Sequence, residues 1–114
     1  MRIVNTTRGS ELAANAQRAD TFLTRLVGLL GRSSLKTGEA LVIEPCSSVH
    51  TAFMRFTIDV VYIDKARRVV LVVPNMRPFR IGGLFSGARA VIELPKGTIE
   101  ASGTARGDEL AFSD

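Results

Sequence analysis

The chain has 114 residues, of which 46 % are hydrophobic and 23 % charged, and it carries a net charge of +4. That composition is globular and argues against disorder; the length suits a single domain, residues 1–114, burying roughly 65 % of its unfolded surface in one core. A lone cysteine rules out an internal disulfide, and the longest apolar run, Val69 to Val73, falls far short of the ~20 residues of a membrane span.

In chain order, Ile3 to Thr7 and Glu11 to Arg18 are expected to pair as a hairpin around Arg8-Gly9-Ser10. The first residues lack the apolar core of a secretory signal, so a cytoplasmic protein without a membrane span is expected. The spacing of Phe22, Leu23, Leu26, Val27, Leu29 and Leu30 predicts an amphipathic helix over 20–31, with Asp20 as N-cap and Gly31 ending it. From residue 40 the chain reads as β. Leu41-Val-Ile is a short strand that stops at Pro45. Val60–Ile63 and Val69–Val73 are β-branched runs joined by the turn Asp64-Lys-Ala-Arg-Arg. Both are apolar on both faces, which places each deep in a covered sheet. Pro74, Pro78 and Gly82-Gly83 break the following stretch into a loop. Ala88 to Leu94 alternates, with Ala88, Ala90, Ile92 and Leu94 on one side and Arg89, Val91 and Glu93 on the other. Pro95-Lys-Gly closes that strand. Ile99 to Ala101 forms a turn of helix, and Gly107-Asp108 leads into a last strand, Glu109 to Phe112. The fold class is therefore mainly β (α+β): a small antiparallel β-barrel or sandwich of six to eight short strands with one helix near residues 20–31.

The scarce chemistry is concentrated between the first two of these β runs. Cys46, His50 and Met54, four residues apart, are the soft donors a Cu(I) ion would select. Pro45, Val49, Thr51, Phe53 and Thr57 favour extended structure there, and four residues of strand span about 13 Å. A single ion cannot bridge that at bond lengths of about 2.0–2.3 Å, so no metal and no cofactor is expected. Cys46 with His50 as base would make a thiol enzyme or redox protein if the chain bends at Pro45-Cys-Ser-Ser and Arg55 or His50 favours the thiolate. The plainer reading makes Cys46 a small buried residue. Asp59 opens an apolar run, where a carboxylate needs a partner; Arg55, Arg77 and Arg80 are the candidates. Six basic residues and no acidic one lie between Lys65 and Ile92. They could serve a basic interaction module for nucleic acid or an acidic protein. With only Phe79 and Phe85 to stack on bases, nucleic acid is the disfavoured partner. The glycines match neither phosphate-binding loop pattern.

The favoured reading is a non-catalytic binding module. Cys46, His50, Thr51, Met54, Arg55 and Asp59 would rim a pocket for a small polar ligand or a short peptide, because a few polar groups set among core strands are what such a pocket needs.

Several motifs, taken together, resemble a known family. They are Arg25-Leu-Val-Gly-Leu-Leu-Gly-Arg, Ala40-Leu-Val-Ile-Glu-Pro-Cys, His50-Thr-Ala-Phe-Met-Arg-Phe-Thr-Ile-Asp-Val-Val-Tyr-Ile-Asp, Arg68-Val-Val, Pro78-Phe-Arg, Val91-Ile-Glu-Leu-Pro-Lys-Gly and Gly107-Asp-Glu-Leu. In this order they resemble the bacterial and archaeal family called domain of unknown function 192, from about Ala19 to Phe112. The chain is similar to the branch with Cys, His-Thr and Met-Arg-Phe rather than the branch with Trp-Met-Lys-Asn-Thr. It carries Phe79 where that family commonly has tryptophan. The resemblance implies a mostly β fold with a short helix. It implies no activity, cofactor or catalytic residue.

Overall fold

A computed structural model describes residues 1–19, 35–45, 56–77 and 87–114. Eight strands and one short helix are found among them. Strands β1 (Arg2–Asn5), β2 (Ser10–Ala13) and β8 (Leu110–Ser113) form one antiparallel sheet with β1 in the middle. Strands β3 (Asn15–Ala19), β4 (Glu39–Ile43), β5 (Ile58–Ile63), β6 (Val69–Met76) and β7 (Ala90–Pro95) form the other, in the order β3-β4-β7-β5-β6. Ile3, Leu12 and Leu110 from the first sheet join Val42, Val61, Ile63, Ile92 and Leu94 from the second in one buried cluster. The fold is thus sandwich-like, and neither sheet closes into a barrel among the described residues.

The hairpins follow their turn chemistry. In the β5–β6 turn, Asp64 Oδ1 accepts the Ala66 and Arg68 backbone N–H groups, both at 2.9 Å. Arg67 takes the left-handed conformation (φ 62°) that the reversal requires. β1 and β2 pair around residues 6–9. Where a single second strand over Glu11 to Arg18 was expected, the chain turns at Ala14 and supplies one strand to each sheet. β3 then runs parallel to β4, Asn15 to Ala19 against Glu39 to Ile43. A purely antiparallel fold is corrected on this point.

Two further expectations change. β5 is buried along its whole length, as its two apolar faces require, but β6 is the edge of its sheet, and only its two end residues, Val69 and Met76, are fully buried. β6 also continues past Pro74 to Met76. An edge strand tolerates a proline because the missing N–H faces no neighbour. Pro74 and Asn75 both lie opposite Asp59, a bulge that shifts the register between Ile58↔Met76 and Val60↔Val73. Asn75 adopts φ 56°, a conformation asparagine accepts more readily than most residues. β4 ends before Pro45 as expected. The helix expected over 20–31 lies outside the described residues.

β7 is the centre of the larger sheet, flanked by β4 and β5. From Ala90 its alternation is as the sequence implies, with Ala90, Ile92 and Leu94 in the inter-sheet core, but Ala88, expected on that side, precedes the strand and packs against the cluster on the opposite face. Val91, on the other face, packs with Ile58, Val60, Tyr62, Leu35 and Met76 in a second buried cluster. Both faces of β7 are therefore buried. Helix α1 (Thr98–Ser102) follows, between Gly97 (φ 93°) and Gly103 (φ 70°), and Ile99 packs into the inter-sheet core. No helix of the described residues is long and apolar enough to cross a membrane.

Candidate functional site

Of the residues singled out from sequence, Cys46, His50, Thr51, Met54 and Arg55 lie outside the described residues, as does Arg80. Asp59 is described, and its placement is specific. It faces the inter-sheet core opposite Leu94 and is 1 % exposed. Oδ1 accepts the Asn75 backbone N–H at 3.0 Å, and Oδ2 accepts the Ile99 N–H at 2.9 Å. Because Gly97 has no side chain to cap α1, Asp59 from a distant strand fills that role and also pins the β6 bulge. The need for a partner was legible. The partners are two main-chain amides where an arginine was expected. A buried carboxylate held by N–H donors is a structural element, and both of its oxygens are engaged.

A second polar cluster ties the chain's ends together. Asn5 Nδ2 donates to Asp108 Oδ2 at 2.9 Å and to Thr104 Oγ1 at 3.1 Å, while Asn5 Oδ1 accepts the Arg8 N–H at 3.0 Å. Arg8 Nε and the Ala105 N–H also donate to Asp108 Oδ2, at 2.9 and 3.0 Å. The Ser102 and Thr104 hydroxyls are 2.7 Å apart. Arg8 above all, with Asn5 and the Ala105 amide, holds the Asp108 carboxyl below its usual range. The expected basic surface is partly self-neutralised. Arg68 pairs with Glu109 at 2.8 Å, and the Arg67 guanidinium lies 4.3 Å over the Phe112 ring. Among the described residues no cluster of three His, Cys, Asp or Glu side chains is placed to hold a metal ion.

The residue that sequence reading passed over is Glu93. It sits in the middle of β7, opposite Leu41 of β4 and Val60 of β5, on the face away from the smaller sheet. It is 3 % exposed, and Oε2 is the single buried side-chain N or O atom without a hydrogen-bond partner among the described residues. Desolvation by this burial pushes its carboxyl up to about 7 from an ordinary 4.5. Of the described side chains closest to it in register, Leu41, Ile43, Val60, Ile58, Val91 and Tyr62 are apolar or aromatic, and Glu39 is a second carboxylate two positions along β4. The signal was available in the sequence. The argument that made Asp59 notable, a carboxylate inside an apolar run, applies equally to Glu93 between Ile92 and Leu94. Simple alternation disguised it as an outward-facing polar residue.

Glu93 thus sets the site apart from the rest of the described fold: a mostly apolar wall on a central strand holding one carboxyl oxygen that no described residue matches. The class is a small two-sheet β protein with a polar group stranded in an apolar face. The chain belongs to the family described as Uncharacterized ACR, domain of unknown function 192, whose profile matches residues 3–112. Similar curated proteins are archaeal. A UPF0127 protein of Pyrococcus furiosus is 30 % identical over 116 residues, covering 97 % of this chain and 97 % of its own. One of Pyrococcus horikoshii is 34 % identical, covering 96 % and 97 %. A protein of unknown function from Novosphingobium aromaticivorans shares the fold at a TM-score of 0.82, with 19 % identity over 97 % of this chain and 82 % of that one.

Proposed function

We propose that this chain is a non-catalytic binding module for a small polar ligand or short peptide. The observation that carries the reading is Glu93. Natural cores pair nearly all their buried polar atoms, so an oxygen on a central strand that no described residue matches points to a partner beyond those residues, which in this reading is a ligand. Its flanking strands matter too. β4 and β5 are the two elements that the segment with Cys46, His50, Thr51, Met54 and Arg55 connects, so the chain's rare polar residues join the two strands on either side of Glu93. In this reading those five residues supply the specific polar contacts, and Glu93 lies on the apolar floor. Asp59 supports the site from the opposite face by fixing β5 to β6 and α1. Ligand sites of this kind combine apolar walls with few orienting groups.

A thermal-shift screen over sugars, amino acids, amines and short peptides tests the proposal. At least one compound class should stabilise the wild-type chain, and His50→Ala and Glu93→Gln variants that remain folded should lose that stabilisation. A screen in which nothing stabilises the protein, or in which both variants respond as the wild type does, would refute it.

A further inference from the structure

Glu93 also constrains what the ligand is. The inference that follows rests on the binding reading above and gives it a chemical class. The described neighbours of Glu93 in the sheet register can be named, Ile43 of β4 among them. β4 presents Leu41 directly opposite and Glu39 two positions along. β5 presents Val60 directly opposite, with Ile58 and Tyr62 on the diagonals. β7 itself presents Val91 and Pro95. The titratable groups among these are Glu39, which accepts the Lys36 N–H at 2.8 Å, and Tyr62. No lysine or arginine is among them. Asp59 points into the opposite face of the sheet.

An unmatched carboxyl in a wall whose described side chains offer no cation is a site of negative potential in a medium of low polarity, where a positive charge gains most. A ligand that only donates a neutral hydrogen bond would satisfy Oε2 yet leave the carboxylate's charge unbalanced. A ligand that only accepts would require the acid form. An ammonium group both donates and balances the charge, and such charge-assisted bonds are the strong ones. We infer that the module's ligand carries an ammonium group on an apolar stem, with Glu93 Oε2 accepting its N–H and the stem lying against Leu41 and Val60.

The inference has a pH signature. Only the ionised carboxylate pairs with an ammonium ion, and Glu93 ionises at about 7, so affinity should rise as the pH rises through that value. The carboxylate fraction grows from about 0.1 at pH 6 to about 0.9 at pH 8, which makes the expected gain about tenfold. An acceptor ligand bound to the acid form would show the reverse trend.

The test measures binding of n-butylamine, n-butyrate and n-butanol to the full chain at pH 6 and pH 8, with Glu93→Gln and Glu39→Gln variants. Glu93→Gln is nearly isosteric and removes a buried charge, so it should fold. Its thermal unfolding at both pH values checks that it does. The expected result is binding of n-butylamine that strengthens about tenfold from pH 6 to pH 8, is lost in Glu93→Gln and persists in Glu39→Gln. If butyrate or butanol binds through Glu93 and better at pH 6, the ammonium class is overturned while the binding reading stands. Amine binding that survives Glu93→Gln overturns the assignment of Glu93. If none of the three probes binds at either pH, while a hit from the broader screen depends on His50 but not on Glu93, this inference fails alone. If the broader screen is also empty, both readings fall.

Discussion

Glu93→Gln should flatten the dependence of stability on pH, and the size of the effect follows from where the carboxyl sits. In the unfolded chain Glu93 ionises near 4.5, and in the folded chain near 7. Between those values the native state holds a proton that the unfolded state has released. Stability therefore falls as the pH rises across that interval and levels off above it. Each pH unit of the interval is worth about 1.4 kcal/mol, and an interval of about 2.5 (7 less 4.5) carries about 3 kcal/mol. A set of urea titrations at pH 5, 6, 7 and 8 reads this directly. The wild-type chain should lose about 2–3 kcal/mol more between pH 5 and pH 8 than Glu93→Gln does, a difference of about 1–2 M in midpoint at an ordinary urea slope. The absolute stability of the variant is less informative, because a glutamine amide in this wall is itself unmatched. Parallel pH profiles for the two proteins would refute the claim that Glu93 is buried without a partner.

Asp108 should act at the other end of the pH range. Its carboxyl is held below the usual value, so its stabilising contribution is present above about pH 4 and is lost as the pH falls through its lower folded value; Asp108→Asn should be less stable than wild type at pH 6 and converge with it under acid conditions in denaturant titrations. Asp59→Ala strips the acceptors from two backbone amides, those of Asn75 and Ile99, and should cost about 2–5 kcal/mol by chemical denaturation, with Asp59→Asn costing less because one acceptor remains. At the bulge, Asn75→Val forces a β-branched residue into φ 56° and should cost about 1–3 kcal/mol in thermal or urea unfolding, whereas Asn75→Gly should lie within about 1 kcal/mol of wild type.

Much of the architecture was legible where local chemistry decides it. The Asp64 turn, the break at Pro45, the short helix after Gly97 and the final strand after Gly107-Asp108 all follow from residues within a few positions of each other. What escaped reading depended on distant neighbours. Nothing within Asn15–Ala19 says that its partner is a parallel strand twenty residues away, and nothing in Val69–Val73 distinguishes an edge from a centre. An apolar run looks the same in both settings. The site divides in the same way. That Asp59 needs a partner was readable, but the partner came from α1 and β6, through backbone amides that carry no sequence signature. Glu93 was hidden because alternation assigns a polar residue to the outside, and only the sheet order, with β7 in the middle, reveals that both sides are inside.

The position of β1 has a consequence for how the protein is made. β1 leaves the ribosome long before β8, one of its two neighbours in the sheet. The Asn5 amide meets Asp108 only when some hundred intervening residues have been synthesised. Until then Ile3 has half its sheet and none of the covering from Leu110, and a hydrophobic strand edge stands open to other nascent chains. The smaller sheet is thus a closing clasp, so folding should be slow for a domain of this size and should depend on the C-terminal strand being present.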